Sequence, residues 1–299
     1  MINGIINVYK EKGFTSFDVC NKIKYMMKER KVGHTGTLDP NAVGVMQIAV
    51  GKATKLLPLL EDHIKVYEPT VKFGILTDSL DPDGKILETS EVPNITLKDI
   101  EDKLEKLSSI TEQIPPIFSA IKVNGKKLYE YARNGQEVEI KPRPVKIFES
   151  MISSDFFMED NHLCIKIKLK VSKGFYVRSF VRDLANELGT IAIMSDLTRL
   201  QTGDFEINNS KKLSEISEND LILLDSCRVY ARGNASPSLI LKPSFKNCKR
   251  ITLYKDSCSL YFLEFLSAFG LFNSLKRSSL VKSYTNSSST IECASQHLS

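Results

Sequence analysis

The chain has 299 residues, room for one large domain or two smaller ones, and its 42% hydrophobic, 26% charged composition is that of a globular protein rather than a disordered or fibrous one. Six scattered cysteines without a CxxC pair and four dispersed histidines signal neither a disulfide framework nor a zinc site, so a metal-free site is the expectation. The net charge of +5 belongs to the tail: residues 227–299 hold 10 Lys+Arg against 3 Asp+Glu, so any nucleic acid bound by the body must be held by local patches.

Ile2 to Tyr9 reads as a strand. It lacks the basic segment, apolar stretch and small-residue cleavage site of a secretory signal, and a cytoplasmic protein is expected. Thr15-x-x-Asp18 has the spacing of a capping box, with Val19, Ile23 and Met26 following at helical intervals. Next comes GHTGTLDPNAVG at 33–44, which sets one histidine and one aspartate among three glycines and a proline. Val45 to Val50 reads as a buried strand, and GKATK at 51–55 leads into a short apolar helix interrupted at Pro58. Lys65 to Leu76 is predicted as one long strand, and Asp81-Pro82-Asp83-Gly84 as a turn.

Thr96-x-x-Asp99 caps a second helix, with Leu97, Ile100, Leu104 and Leu107 along one stripe. Residues 119–144, rich in Lys, Arg, Gly and Tyr, read as an inserted arm, which the blocks described below extend to about 113–144. From Leu163 to Val171 apolar residues alternate with Lys166, Lys168 and Lys170, the pattern of a half-buried strand with a cationic outer face. SKGFYVR at 172–178 then enters a helix from Ser179 to Leu188, stopped by Gly189. Strands and helices mix without regular βαβ alternation, so an α+β fold with a mixed, mainly antiparallel sheet flanked by helices is expected.

Composition shifts at residue 227, which divides the chain into a 1–226 domain and an atypical basic 227–299 tail. The apolar run Leu260 to Leu275 is too short and too interrupted to span a membrane and suits a buried helix, while 286–299 has a disordered composition.

An Asp-Pro step in a glycine-rich loop is by itself an ordinary turn. A carboxylate used as nucleophile or base, however, needs a rigid loop to aim it, small neighbours and a nearby cation to keep it ionised. Asp39 has the first two, and Arg178, where a strand becomes a helix, is a candidate for the third or a plain surface arginine. His34 admits a base, a stacking group or, without partner histidines, weakly a metal ligand. Tyr67 fits a core, an edge or a site position equally well.

Taken in order, the blocks GIINVYKEKGFTS (4–16), GHTGTLDPNAVGV (33–45), GKATKL (51–56), KVYEPTVKFGILTDSLDPDG (65–84), QIPPIFSAIKVNGKKLYEYARNGQEVE (113–139), SKGFYVRSFVRDLANELG (172–189) and LTRLQTGDF (197–205) resemble the bacterial tRNA pseudouridine synthase B family. The resemblance covers roughly the first three quarters of the chain. It implies a pseudouridine synthase fold that isomerises the uridine at position 55 in the T-loop of tRNA, without a cofactor and without an obligatory protein partner, as a monomer. It also implies Asp39 as the residue assisting glycosidic-bond cleavage, Tyr67 stacking on the flipped uracil, and Arg178 paired with Asp39. Tyr176 and Leu197 would line the base pocket, His34 would stack near the extruded nucleotides, and Lys10 would contact substrate. Lys122, Lys126, Lys127, Arg133, Lys141, Arg143 and Arg199 would track RNA phosphates.

The chain departs from the family pattern at Glu11, where a proline is common, and at Thr198, where a second arginine is common. After Ser226 the resemblance stops, and no small C-terminal RNA-binding domain is recognisable; a replaced or out-of-frame extension is the expectation for 227–299. Two other classes remain open on the residues alone: a tRNA-binding or chaperone protein without chemistry, and a glycosidase drawing a second carboxylate from Asp78, Asp81 or Asp83.

Overall fold

Alternating burial along Gly4–Lys10 (β1) starts the sheet, and the chain then turns at Thr15, whose hydroxyl accepts the Asp18 backbone N–H at 3.1 Å while the Asp18 carboxylate accepts the Thr15 N–H at 2.9 Å. This reciprocal cap satisfies donors that a helix start leaves open and launches Ser16–Met26 (α1), which packs Val19 and Ile23 with Ile6, Val8, Met46 and Ile48. The computed structural model describes residues 3–61, 64–223, 228–230 and 238–240.

Val32–His34 (β2) and Val43–Val50 (β3) follow, then a 3-10 turn over 51–56 and Leu57–Glu61 (α2). Pro58 does not interrupt that helix. It sits in the first turn, where the missing N–H would have no partner within the helix. Lys65–Phe73 (β4) is shorter than expected, because the chain bends at Gly74 and Ile75–Thr77 (β5) leaves to pair with Ile86–Thr89 (β6). Leu97–Ser108 (α3), capped by Thr96 and Asp99, buries Ile100, Leu104 and Leu107.

The arm lies between Glu112–Gln113 (β7) and its partner strand. It holds a hairpin of Lys122–Val123 (β8) and Lys126–Lys127 (β9) closed by Asn124-Gly125, both residues at positive φ as a tight two-residue turn requires. Leu128–Arg133 (α4) follows, and Arg143–Pro144 (β10) returns antiparallel to β7, so the arm is tied off at its base.

Ile147–Ile152 (β11), Phe157–Glu159 (β12) and His162–Val171 (β13) complete one side of the sheet. On β13 Ile165, Ile167, Leu169 and Val171 are buried while Lys166 and Lys168 are exposed, as the alternation predicts. Val177–Glu187 (α5) starts two residues earlier than expected, which puts Arg178 in its first turn. Ala192–Thr202 (β14), Phe205–Glu206 (β15) and Lys211–Lys212 (β16) follow in the same sheet.

The main path of the sheet runs β11-β13-β4-β14-β3-β1-β16. β14, late in the chain, is inserted between β3 and β4, parallel to β3 and antiparallel to β4. Its register against β4 slips twice, between Met194 and Asp196 and between Arg199 and Gln201, bulges that bend and re-aim a strand. One large core unites Val71, Phe73, Leu104, Ile167, Phe180, Leu184 and Met194 from α3, α5 and the sheet. The mixed, mainly antiparallel sheet with flanking helices is an α+β fold.

The chain divides by compactness into residues 1–221 and 222–299. In the second unit Arg228–Tyr230 and Ser238–Ile240 form an antiparallel pair. The runs 260–275 and 286–299, with what was expected of them, lie outside the described residues. Among the described residues no helix is long and apolar enough to cross a membrane.

Candidate active site

Asp39 stands in the loop between β2 and β3, its side chain 41% exposed. The backbone around it is pinned from several directions. The Ser16 hydroxyl donates to the Leu38 carbonyl at 3.1 Å and accepts the Leu38 N–H at 2.9 Å, Gly13 N–H donates to the Pro40 carbonyl at 2.9 Å, and Ala42 N–H donates to the Asp39 carbonyl at 3.1 Å. The α1 cap therefore also anchors the loop, since Ser16 is the first residue of that helix.

Two residues expected to touch substrate do not. Lys10 is wholly buried; its Nζ donates to the carbonyls of Ala42 at 2.6 Å, Pro40 at 3.1 Å and Glu11 at 3.3 Å, so it holds the Asp39 loop and has no surface with which to reach a ligand. Arg199, expected on RNA phosphates, is also wholly buried: Nε donates to the Val45 carbonyl at 2.7 Å and Nη1 to the Gly36 carbonyl at 3.0 Å. Both cations thus donate to backbone carbonyls of the Asp39 loop and its flanks, with Arg199 Nη2 left buried without a partner. Burial pushes the Lys10 ammonium down to about 8; Asp39 opposes the fall and Arg199 adds to it.

Arg178 is not a surface arginine. It is 8% exposed, and its guanidinium spans two carboxylates: Nη2 lies 3.2 Å from Asp39 Oδ2 and Nη1 lies 3.0 Å from Asp81 Oδ2. Nη1 also donates to the Ser79 carbonyl and Nη2 to that of Phe118, both at 3.0 Å. The planar fork is thus fixed by three groups behind it and presents its remaining edge to Asp39. Asp81, expected in a turn and open as a second glycosidase carboxylate, has the geometry of a buried partner to Arg178. It accepts the Ser79 hydroxyl at 2.5 Å, and burial pushes its carboxyl up, with Ser79 and Arg178 opposing. The sequence signal for this role was slight: a serine two residues before an aspartate, bridging a Leu80 that adopts positive φ.

Asp39 and Arg178 open onto a cleft of about 800 Å³. Tyr67 from β4, Met194 and Leu197 from β14, and Phe175, Tyr176 and Val177 at the entry to α5 line it. Tyr67 is 8% and Leu197 7% exposed, so both offer a flat apolar edge rather than a mobile side chain. The Tyr176 N–H donates to Gln113 Oε1 at 2.8 Å, and burial pushes its phenol up, so the ring enters the cleft neutral. His34 is on the rim; burial first, then the charge of Arg199, pushes its imidazole down, which leaves a neutral ring at physiological pH.

The arm supplies the opposite wall through Phe118, Ser119, Ala120, Tyr129 and Arg143. Lys127 and Arg133 each lie 5.3 Å from the Tyr129 ring centroid, flanking the aromatic with positive charge. Of the expected phosphate contacts only Arg143 lines the cleft; Lys122, Lys126 and Lys141 are exposed on the arm away from its lining. Among the described residues no three His, Cys, Asp or Glu side chains converge as a metal site would require.

The arrangement offers one carboxylate clamped by an arginine, a cleft lined by Tyr67, Met194 and Leu197, and a wall carrying Tyr129 and Arg143. The model of the TruB family pseudouridylate synthase N-terminal domain matches residues 24–177. The chain is 46% identical to the tRNA pseudouridine synthase B of Caldanaerobacter subterraneus subsp. tengcongensis over 218 residues, 73% of this chain and 75% of that protein. It is 43% identical to the enzyme of the same name from Staphylococcus saprophyticus over 228 residues, 75% of each chain. In fold it is similar to the crystal structure of a Cbf5-Nop10-Gar1 complex (TM-score 0.55, 21% identity) and to an H/ACA RNP bound to a substrate RNA containing 2'-deoxyuridine (TM-score 0.53, 20% identity), each covering 84% of this chain and 74% of that one.

Proposed function

This chain belongs to the TruB family of pseudouridylate synthases, and from that we propose that it isomerises uridine to pseudouridine in tRNA, at position 55 of the T-loop, with Asp39 as the residue that assists bond cleavage. The observation that carries this reading is the 3.2 Å pair between Asp39 and a buried, fully braced Arg178 at the mouth of a cleft lined by Tyr67 and Leu197. The reaction breaks the N1–C1′ bond, forms a C5–C1′ bond, removes the C5 proton and protonates N1; no atom is gained or lost, so no cofactor is called for.

The target base lies within a stacked loop, and extruding it costs on the order of a few kcal/mol. Stacking on Tyr67 and packing against Leu197 and Tyr176 offset that cost, while Arg178 holds the Asp39 carboxylate in place at 3.2 Å in a site from which the base excludes water. His34 on the rim, neutral and flat, suits stacking beside the displaced nucleotides. Arg143 and the exposed Lys122, Lys126 and Lys141 suit phosphate contacts, with Lys127 and Arg133 holding Tyr129. Tyr67 is also the candidate acceptor of the C5 proton. The enzyme acts as a monomer in the cytoplasm in this reading.

Incubating unmodified tRNA with the wild-type protein and mapping pseudouridine chemically tests the proposal. Pseudouridine at position 55 supports it; binding without product would favour a chaperone, and release of free uracil a hydrolase.

Asp81→Asn removes one of the two charges on Arg178 while keeping side-chain volume. A charge-assisted hydrogen bond is worth about 1.5–3 kcal/mol, so the single-turnover rate at saturating tRNA is expected to fall about 10- to 100-fold. Unchanged turnover would show that Arg178 holds its place without Asp81.

Lys10 gives a pH signature. Its folded value of about 8 lies below the ordinary 10.5, so between those pH values the unfolded chain binds the extra proton, and this group's contribution to stability rises with pH. Over the same window the two loop carbonyls, Pro40 and Ala42, lose a charged donor. Wild-type single-turnover rates are expected to decline above about pH 8, and Lys10→Met to show a lower rate without that decline; a decline that persists in Lys10→Met belongs to another group.

A further inference from the structure

Arg199 lies on β14 at the point where the strand carrying Tyr67 and the loop carrying Asp39 meet. On one side it is in antiparallel register with Tyr67 of β4, and on the other in parallel register with Gly44 of β3. Its side chain takes the carbonyls of Gly36 and Val45, which bracket the whole Asp39 loop. The backbones approach closely here: a Cβ on Gly44, at φ +109°, would come within 2.2 Å of the Arg199 carbonyl oxygen. Gly36 and Tyr67 line the cleft, but Arg199 itself is absent from that lining.

We propose that Arg199 is a positioning residue for the isomerisation, setting the distance between Asp39 and Tyr67 by clasping both ends of the Asp39 loop from the strand next to Tyr67. Two buried cations divide the work. Lys10 holds the inner carbonyls, Pro40 and Ala42, and Arg199 the outer pair, Gly36 and Val45. The guanidinium serves the outer pair through a rigid planar fork that donates in two directions at once, from Nε and from Nη1, whereas an ammonium donates from a single atom. The β2–β3 pairing and the Thr35–Gln47 bonds hold the loop up to Thr35, so without Arg199 the stretch from Gly36 onward loses its tie to β14 while the slot that receives the base, built from β4 and β14, stays where it is. Asp39 would then drift relative to a base still stacked on Tyr67. A misplacement of about 1 Å at reacting atoms costs about 100-fold in rate.

This inference rests on the functional reading above. The test is Arg199→Lys in the full chain, which keeps a buried cation but loses the planar fork that reaches Gly36 and Val45 from two separate nitrogens. Single-turnover pseudouridine formation is measured at saturating tRNA beside tRNA affinity and far-UV circular dichroism. The expected result is a rate at least about tenfold lower, tRNA Kd within about twofold of wild type, and an unchanged spectrum. Arg199→Met, losing both bonds, is expected to be slower still. A weakened Kd with an unchanged saturated rate would return Arg199 to phosphate binding. A saturated rate within twofold of wild type, or an Arg199→Lys protein that does not fold, would overturn the positioning role in favour of none or a purely structural one. If the wild-type protein itself makes no pseudouridine, the functional reading fails instead.

Discussion

Asp39→Asn is expected to abolish measurable pseudouridine formation, a loss on the order of 10⁴-fold or more, while tRNA binding stays close to wild type. The substitution keeps the shape of the side chain, and removes the negative charge and one of the two oxygens available to the bond-breaking step. Because Asp39 is half-exposed and its loop is held by Lys10, Arg199, Ser16 and Gly13 through backbone atoms, the loop geometry does not depend on the carboxylate. The assay is a time course of pseudouridine at saturating enzyme, with affinity from filter binding. A variant with even one hundredth of wild-type turnover would remove Asp39 from the chemical step.

Arg178→Met is expected to be as damaging to activity and far more damaging to the fold. It leaves Asp81, 9% exposed, without its counter-charge and strips the Ser79 and Phe118 carbonyls of their donor. Removing one partner of a buried pair costs about 3–5 kcal/mol, a large share of the stability of any domain. Urea unfolding should therefore show a clearly lower midpoint, and the double variant Arg178→Met, Asp81→Leu should recover part of it without recovering turnover. Recovery of turnover in the double variant would mean that Arg178 matters only because Asp81 needs it.

The elements that local chemistry controls were legible in the residues. Thr15 and Asp18, Thr96 and Asp99, and the alternation on β13 each act over a few positions, and the chain follows them closely. Elements that depend on distant partners were not. The strand predicted through Leu76 ends at Gly74 because β5 finds a different partner, and nothing in 65–76 names that partner.

The same division runs through the site. Asp39, Tyr67, His34 and Arg178 could be nominated by residue type and motif, Tyr176 and Leu197 only through the family resemblance, and all six converge on one cleft. Asp81 was hidden because a DPDG turn explains its presence without remainder. Lys10 and Arg199 looked like ligand contacts because a cation on a sequence carries no mark of burial. Their partners are backbone carbonyls, which every residue has and which no sequence pattern distinguishes.

The insertion of β14 between β3 and β4 has a consequence for the order in which the molecule is assembled. The strand that separates Asp39's half of the sheet from Tyr67's half is residues 192–202, made well over a hundred positions after either. Pairings that close such long stretches of chain come late in folding, since the entropy of closure must be met before the contact returns anything. A growing polypeptide that has not yet reached residue 202 has the aspartate, the tyrosine and even the arginine of α5, but nothing to hold the first two at a fixed separation. Catalytic competence is therefore among the last properties that the folding chain acquires.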